Sequence, residues 1–508
     1  MPSLSPGSDM SEKLLSSPPC LAAEFEDYVL GVKTADLSQC DTDRMALLER
    51  LAALLGPDGL LDADDDLTRY ISEPRGRFHG KPLAVVRPDS TEKVAGVVLL
   101  CREYGVAMVP QGGHTGLVGG ASAARGELII SLERMRSVRE VDAADGSLVV
   151  EAGCTLSAVR EAAAEAGLLY PVSLASEGTA TIGGTLATNA GGNLTIRYGN
   201  TREQVLGLEV VLADGRVLDE LSPLRKDNSG YDLKQLFVGS EGTLGIITAA
   251  ALRLEPAPRQ TVTAMVATAS VDHGLELLAR LRSHLGETLS ACEFLPRLAL
   301  DLVLQYLPDS RDPLGQHYPW YVLIQDDSGI AGDWLEAAVL DGLSGAQSEG
   351  LIADAVVADS QARARELWQL REAISPAQKV GGVSLKHDIS VPVGRIPAFI
   401  AQAIPALEQA VPGIRPCIFG HLGDGNLHFN LTQPESMNAA EYRALEPACN
   451  RIVFDLVRQF NGSIAAEHGV GLLRREELAD GQRLKVEIMT RIKQALDPAN
   501  LLNPGKVI

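Results

Sequence analysis

Aromatic residues make up only 4% of the 508 residues, and no apolar run reaches the roughly 18 residues that a membrane-spanning helix needs. A spanning helix is therefore not expected. Cysteine is sparse, with seven residues scattered without a repeated spacing. This excludes a disulfide framework and an iron–sulfur ligand run, and it fits a reducing compartment, here expected to be cytoplasmic. Basic residues are outnumbered, 45 Lys and Arg against 66 Asp and Glu, for a net charge of -21. A duplex-binding protein would need a basic footprint, so no nucleic-acid partner is expected. Neither a G-x-G-x-x-G dinucleotide fingerprint nor a G-x-x-x-x-G-K-[ST] phosphate loop occurs. Residues 1–20 are rich in Ser and Pro but lack the basic start and apolar core of a secretory signal. They read as part of a disordered tail over 1–24, with Met10 an alternative start.

Histidine is scarce too, nine in all, yet three fall in two short segments. Ile418-Phe-Gly-His-Leu-Gly-Asp-Gly-Asn-Leu-His-Phe-Asn430 places His421 and His428 at the ends of a polar turn. Ala465-Ala-Glu-His-Gly-Val-Gly471 sets Glu467 beside His468. Two imidazoles and one carboxylate suit a borderline divalent ion with a coordination position left for substrate. His468 is then free to take a proton. The bland alternative is a pair of core histidines beside a buried acid. Asp424 and Asn426 are expected to shape the turn by side-chain-to-backbone bonds.

The length exceeds one hydrophobic core, so two or three domains are expected. Met45–Leu55 is the clearest part of an amphipathic helical stretch from Leu21 to Leu61. A short strand at 82–88, a helix at 91–104 and a strand at 107–110 follow, an α/β alternation. The spacing next predicts strands at 128–131 and 147–151 and a helix at 156–166. An Asp214-Gly215 hairpin is expected within 205–218. Composition changes near 255–260, and strands such as 261–267 and 321–325 then alternate with helices such as 275–285 and 361–373, read as a second α/β domain. Helices at 448–460 and 484–496 lead to the end.

The 49 glycines concentrate around 112–120, 183–192 and 239–245. Glycine allows close backbone approach, so the clusters suggest a large cofactor held by main-chain amides of loops. Pro110-Gln-Gly-Gly-His-Thr-Gly-Leu-Val-Gly-Gly120, Thr181-Ile-Gly-Gly-Thr-Leu-Ala-Thr-Asn-Ala-Gly-Gly192 and Gly239-Ser-Glu-Gly-Thr-Leu-Gly245 together resemble the FAD-binding domain of the vanillyl-alcohol oxidase type. The branch they resemble holds D-2-hydroxyglutarate dehydrogenase, D-lactate dehydrogenase and the glycolate oxidase flavin subunit. The closing Asn503-Pro-Gly-Lys506 resembles that family's terminal flavin-contacting segment, and the likeness runs from about residue 25 to 508.

The resemblance implies an α+β fold. It comprises a two-part FAD-binding domain at 25–255, an α/β cap domain for substrate at 256–455, and a C-terminal segment at 456–508 that returns to the FAD domain. It implies FAD contacts from Pro110, Gln111, Gly112, Gly113, His114, Thr115, Gly116, Leu117, Glu177, Gly178, Gly183, Gly184, Thr188, Asn189, Gly191, Gly192, Glu241, Gly242, Gly245, Ile246 and Asn503. His114 stands where the dehydrogenase branch usually has Asn. A hydrogen-bonding role beside non-covalent FAD is expected, with covalent attachment through His114 as the alternative.

His421, His428 and Glu467 match the family's metal ligands, for Zn2+ or alternatively Mn2+, and His468 matches its general base. Arg371, Ser375, Lys386 and Asn430 match substrate-binding positions, together with His468. Two cations favour a dicarboxylate. The expected activity is oxidation of D-2-hydroxyglutarate to 2-oxoglutarate, with a D-lactate or broad D-2-hydroxy-acid dehydrogenase as the alternative. A zinc hydrolase and a non-catalytic flavin subunit are more distant ones. An electron-transfer flavoprotein or quinone acceptor and a homodimer are also expected. Asp388 is open between orienting Lys386 and ending a strand, and His387 is given no catalytic role.

Overall fold

Helix Leu37–Leu55 opens the part of the chain that the computed structural model describes, residues 37–62 and 65–508. The expected tail over 1–24, and any helix before Leu37, lie outside the described residues. Leu47, Leu51 and Leu55 recur at a four-residue spacing and are buried in the first core with helix Thr91–Tyr104. That second helix is capped by the Ser90 hydroxyl and stopped by Gly105 at φ +66°.

Strands Leu60–Leu61, Val85–Val86, Leu128–Ser131 and Met108–Gln111 form a small sheet in that order, with the last three parallel. The strand expected over 82–88 shortens to two residues, because Pro82 and Pro88 at its ends offer no N–H to a ladder. Beside this sheet lies an antiparallel one of five strands, Val138–Asp142, Ser147–Glu151, Ile246–Arg253, Val205–Val211 and Val217–Glu220. Its last two strands are the hairpin expected at Asp214-Gly215. Val138–Asp142 was not expected, since it is a polar, mostly exposed edge with little alternation to read. The middle glycine cluster also differs from expectation. Its first part is not a loop but the short helix Ile182–Thr188, whose N-cap Thr181 hydroxyl accepts from Gly184 N, and Gly191 and Gly192 follow in a loop.

The second half is built on one antiparallel sheet of eight strands. Their order is Asp354–Val357, Gln260–Thr268, Trp320–Ser328, Leu289–Pro296, Arg415–His421, Asn426–Thr432 and Ser384–Leu385, with Asp388–Ser390 also pairing on Asn426–Thr432. The strand–helix alternation that reads as α/β therefore produces no parallel pair here. Period-two alternation sends Ala264, Val266, Val322 and Ile324 to a core under helices Val271–Leu285 and Trp334–Ser348. Met265, Leu295, Tyr321 and Phe419 face the other way, against helices Arg297–Tyr306 and Gln361–Glu372.

After helix Arg483–Leu496 the chain returns to the first half. Met108 N donates to Leu501 O and Asn503 N to Met108 O, both at 2.7 Å. Lys493 locks this return: its buried ammonium pairs with Asp497 and donates to Thr243 O (2.8 Å) and Leu502 O (2.7 Å). Replacing Lys493 with Ala leaves Asp497 buried and unpaired. The expected loss of stability is about 3–5 kcal/mol. Urea unfolding of the wild type and K493A checks it, and the Lys493→Arg variant should lie between them.

Candidate active site on the sheet face

Register explains how distant residues meet. Across the sheet Glu293 is paired with His421, His421 with Asn426, Phe419 and Asp388 each with His428, and Cys417 with Asn430. Directly opposed residues of an antiparallel pair show their side chains on one face. Glu293, His421, His428, Asp388 and Asn430 thus share the face covered by helix Gln361–Glu372, which brings Arg371. Leu422–Gly425 forms the tight turn between the two histidine strands. Gly425 has φ +92°, and a Cβ there would stand 2.2 Å from Val391 O. The Asp424 carboxylate accepts from Asn426 N at 3.0 Å, the turn-shaping bond expected of it.

His421 Nδ1 lies 2.7 Å from Glu293 Oε1, while Arg371 Nε donates to Glu293 Oε2 at 2.9 Å and its Nη2 is 2.8 Å from the same oxygen. Burial pushes the Glu293 carboxyl upward, but the charges and hydrogen bonds of His421 and Arg371 outweigh it and hold the group at about 2. Burial lowers His421, and Glu293 more than compensates, raising it to about 9. Arg371 also lies over the Phe419 ring. Much of its donor edge is therefore spent on Glu293, so it offers less of a planar fork than its residue type alone would suggest.

Asp388 is the second organising acid. One of its oxygens accepts the backbone N–H of Glu467 and of His468, both at 2.9 Å, and lies 3.3 Å from His468 Nδ1. The other accepts from Asn426 Nδ2 at 2.9 Å. It neither orients Lys386 nor ends a strand. It starts Asp388–Ser390 and holds the C-terminal segment against the sheet. Burial opposes its charge, and His468, His428 and the two N–H groups prevail, keeping it ionised. His387, next to it, is fully enclosed, with its ring nitrogens at Phe429 O (2.9 Å) and Asn450 Oδ1 (2.8 Å), a structural role.

One donor atom each of His421, His428 and Glu467 lies within 4.8 Å of the others. Burial, then Arg371, pushes His428 well below its ordinary value, so it is a neutral imidazole ready to coordinate. Burial and the nearby Asp388 raise Glu467. A cation among these three groups would relieve that repulsion, and Glu293 accepting from Nδ1 would leave His421 Nε2 to coordinate. The donor set fits a divalent ion. Asp388, Glu467 and His468 form a second, overlapping group of similar spacing.

The cluster opens into a cavity of about 590 Å³ that runs to the glycine clusters. Of the residues expected at a cofactor, Pro110 to Leu117, Gly183, Gly184, Thr188, Gly191, Gly192, Glu241, Gly242, Gly245 and Ile246 line it. Glu177, Gly178, Asn189 and Asn503 are outside its lining. Each but Gly178 has a visible structural task. Glu177 pairs with Arg160, Asn189 caps helix Ile182–Thr188 in the left-handed conformation, and Asn503 Nδ2 donates to Gly120 O and Glu241 O. Glu241 reaches across to accept from Val470 N (2.7 Å) and Gly471 N (2.9 Å), just beyond His468. The open space beside Gly116 and the buried, unpartnered His114 Nε2 are features that a large polar cofactor fits.

Arg371, Ser375, Lys386, Asn430 and His468 line the same cavity. Lys386 Nζ donates to Ser375 Oγ at 3.0 Å, and Asn430 Nδ2 to Gln378 Oε1 at 2.9 Å. Sequence reasoning missed Glu293, although a lone carboxylate inside the apolar run Leu289–Pro296 was a signal. It also missed the loop 173–176, which lines the cavity and carries no motif.

Two family models match the chain, the FAD binding domain over residues 82–220 and the C-terminal domain of FAD linked oxidases over 257–507. A D-2-hydroxyglutarate dehydrogenase from Xanthomonas citri pv. viticola is 40% identical over 443 residues, 87% of this chain and 92% of that protein. The chain belongs to the FAD-linked oxidase family. Its fold is the α+β architecture of that family's vanillyl-alcohol oxidase type, with separate FAD-binding and C-terminal oxidase domains. A solved p-cresol methylhydroxylase with substrate bound superposes with a TM-score of 0.73 over 92% of this chain and 97% of its own, at 18% identity, a likeness of fold alone.

The mitochondrial D-2-hydroxyglutarate dehydrogenase of Bos taurus is 37% identical over 488 residues, 94% of this chain and 85% of that protein. Relatives from Arabidopsis thaliana, Danio rerio and Rattus norvegicus are named as mitochondrial as well. This corrects the expectation of a cytoplasmic protein. Sparse cysteine and an acidic surface describe the folded chain and carry no address. Among the described residues no helix is long and apolar enough to cross a membrane.

Burial pushes Lys386 down to about 8, with Arg75 adding to the shift. A lysine is charged below its pKa, so its pull on a carboxylate is present below about pH 8 and lost above it. The expected outcome is a fall in kcat/KM of about tenfold per pH unit above that point. The Lys386→Met variant should lack this limb, which a pH series of flavin reduction would show.

Proposed function

We propose that the chain oxidises D-2-hydroxyglutarate to 2-oxoglutarate. The observation that carries this is that two cations, Arg371 and Lys386, share one cavity with three metal-type donors, His468 and the glycine cradle. At the coarser level the chain is an FAD-dependent dehydrogenase of D-2-hydroxy acids, a reading supported by both family matches and by relatives of 36–40% identity. When bound, FAD would supply a hydride acceptor and a divalent ion a Lewis acid for the hydroxyl oxygen.

His421, His428 and Glu467 would hold the ion, and their N2O set suits Zn2+, with Mn2+ as the alternative. His468 takes the hydroxyl proton at Nε2, because Nδ1 faces Asp388. Asp388 keeps the ring aligned through Nδ1. Lys386, Ser375 and Asn430 receive carboxylate oxygens, and Arg371 adds what its contact with Glu293 leaves free. The domain division at 255 and 455, and the cradle from 110 to 117 with 183–192 and 241–246, belong to this proposal. His114 borders FAD non-covalently, its Nδ1 at 3.2 Å from Arg69 O. FAD released intact on denaturation is the expected result there. A homodimer, and an electron-transfer flavoprotein or quinone as acceptor, complete the reading on family likeness.

Anaerobic mixing with D-2-hydroxyglutarate should bleach the flavin at lower concentration than D-lactate does. Equal or better reduction by D-lactate would transfer the reading to a lactate or broad-specificity enzyme. Replacing His468 with Ala should slow flavin reduction by about 10²–10⁴-fold with metal retained. Near-normal single-turnover reduction in H468A would remove it as the base. His421→Ala and His428→Ala should lower metal content while most FAD stays bound. Metal analysis beside flavin absorbance measures both.

A further inference from the structure

A third cation, Arg75, lines the cavity from the other half of the molecule. It is partly buried, and among the described residues its guanidinium makes no hydrogen bond or ion pair. Its loop is held at several points. The buried Glu73 carboxylate accepts from the backbone N–H of Arg75 (2.7 Å), Arg77 and Phe78 (3.4 Å). Phe78 packs on Gly119, where a Cβ would stand 2.9 Å from the ring. Arg77 pairs with Glu446 at 2.9 Å, tying the loop to helix Glu446–Gln459 of the second half. Arg75 therefore does not wander with a loose loop.

Its charged surroundings hold cations and acids alike, and the acids are already engaged elsewhere. Arg77, Glu73, Asp388 and Arg474 act on it, and it in turn acts on Lys386. Glu73 is spent on backbone amides, Asp388 on Glu467, His468 and Asn426, and Arg474 is turned to Lys386 O (3.2 Å) and Glu477 (3.5 Å). Cations gathered in a partly dry site repel one another unless an anion joins them.

We infer that Arg75 and Lys386 together clasp the second carboxylate of a dicarboxylic 2-hydroxy acid, the one remote from the reacting carbon, so that Arg75 makes the site select diacids. The geometry favours this end of the substrate. Arg371 is tied through Glu293 to His421 and so stands by the reacting carbon, while Arg75 enters the cavity from the loop anchored by Glu73, close enough to Lys386 for its charge to be felt there. The inference rests on the proposed diacid substrate.

The test uses the full-length protein loaded with FAD and metal, as wild type, Arg75→Gln and Arg75→Lys. Anaerobic flavin reduction is measured with D-2-hydroxyglutarate and with D-2-hydroxypentanoate, in which a methyl group replaces the remote carboxylate. In R75Q, kcat/KM for the diacid should fall by about 10–100-fold, chiefly through KM, while the pentanoate changes by less than about threefold. R75K should recover part of the selectivity. Equal losses on both acids, or release of FAD from R75Q, would put Arg75 on the cofactor and overturn the inference. Unchanged diacid kinetics would overturn it as well. A wild type without preference for the diacid fails the substrate reading too, whereas a preference that survives in R75Q fails Arg75 alone.

Discussion

Glu293 is the interaction on which the rest of the site depends. A fully buried carboxylate is tolerable only when paired, and this one is satisfied from both sides, by His421 across the strand and by Arg371 from the covering helix. The pairing sets the imidazole's orientation, commits much of Arg371 to structure, and fixes helix Gln361–Glu372 over the sheet. Removing either partner would strand a charge in the interior. The same acid therefore stabilises the fold and aims a metal-type donor.

The segment from 463 to 471, which carries Glu467 and His468, has little regular structure of its own and is held in place from two directions. Asp388 takes its amides at Glu467 and His468, and Glu241 takes those at Val470 and Gly471. Asp388 belongs to the eight-stranded sheet and Glu241 to the first half of the molecule. Glu467 and His468 are thereby positioned against both at once. Burial raises Glu241 to about 7, with the two amides opposing the shift, and its backbone sits at φ +52°. Such a residue persists where its surroundings over-determine it.

Much of this was readable from short-range pattern. Helix Thr91–Tyr104 and strands Leu128–Ser131 and Ser147–Glu151 have the expected limits, because caps and β-branched runs are local signals. The His421–His428 turn and the Glu467-His468 pair were visible as chemistry dense in a few residues. Unreadable elements had mixed or misleading local patterns. The polar edge Val138–Asp142 has little alternation, and the glycines of Ile182–Thr188 argue against the helix that Thr181 nevertheless caps. Asn189 and Asn503 were expected at the cofactor through the family resemblance, and the structure adds backbone partners for Asn189 Oδ1 and Asn503 Nδ2 that the local sequence does not announce.

The sequence by itself determined the family, through three ordered glycine clusters and a terminal Asn-Pro-Gly-Lys, and it determined which residue types could do the chemistry. Only the tertiary structure decided the partners of those residues. Glu293 is 128 positions from His421, and Asp388 is 80 from His468; strand register and the path of the returning chain bring them together. Arg75 and Lys386 share one cavity for the same reason, across the junction of two halves. Local sequence records what a residue can donate or accept, whereas the sheet's two-residue period and long-range pairing select what it meets.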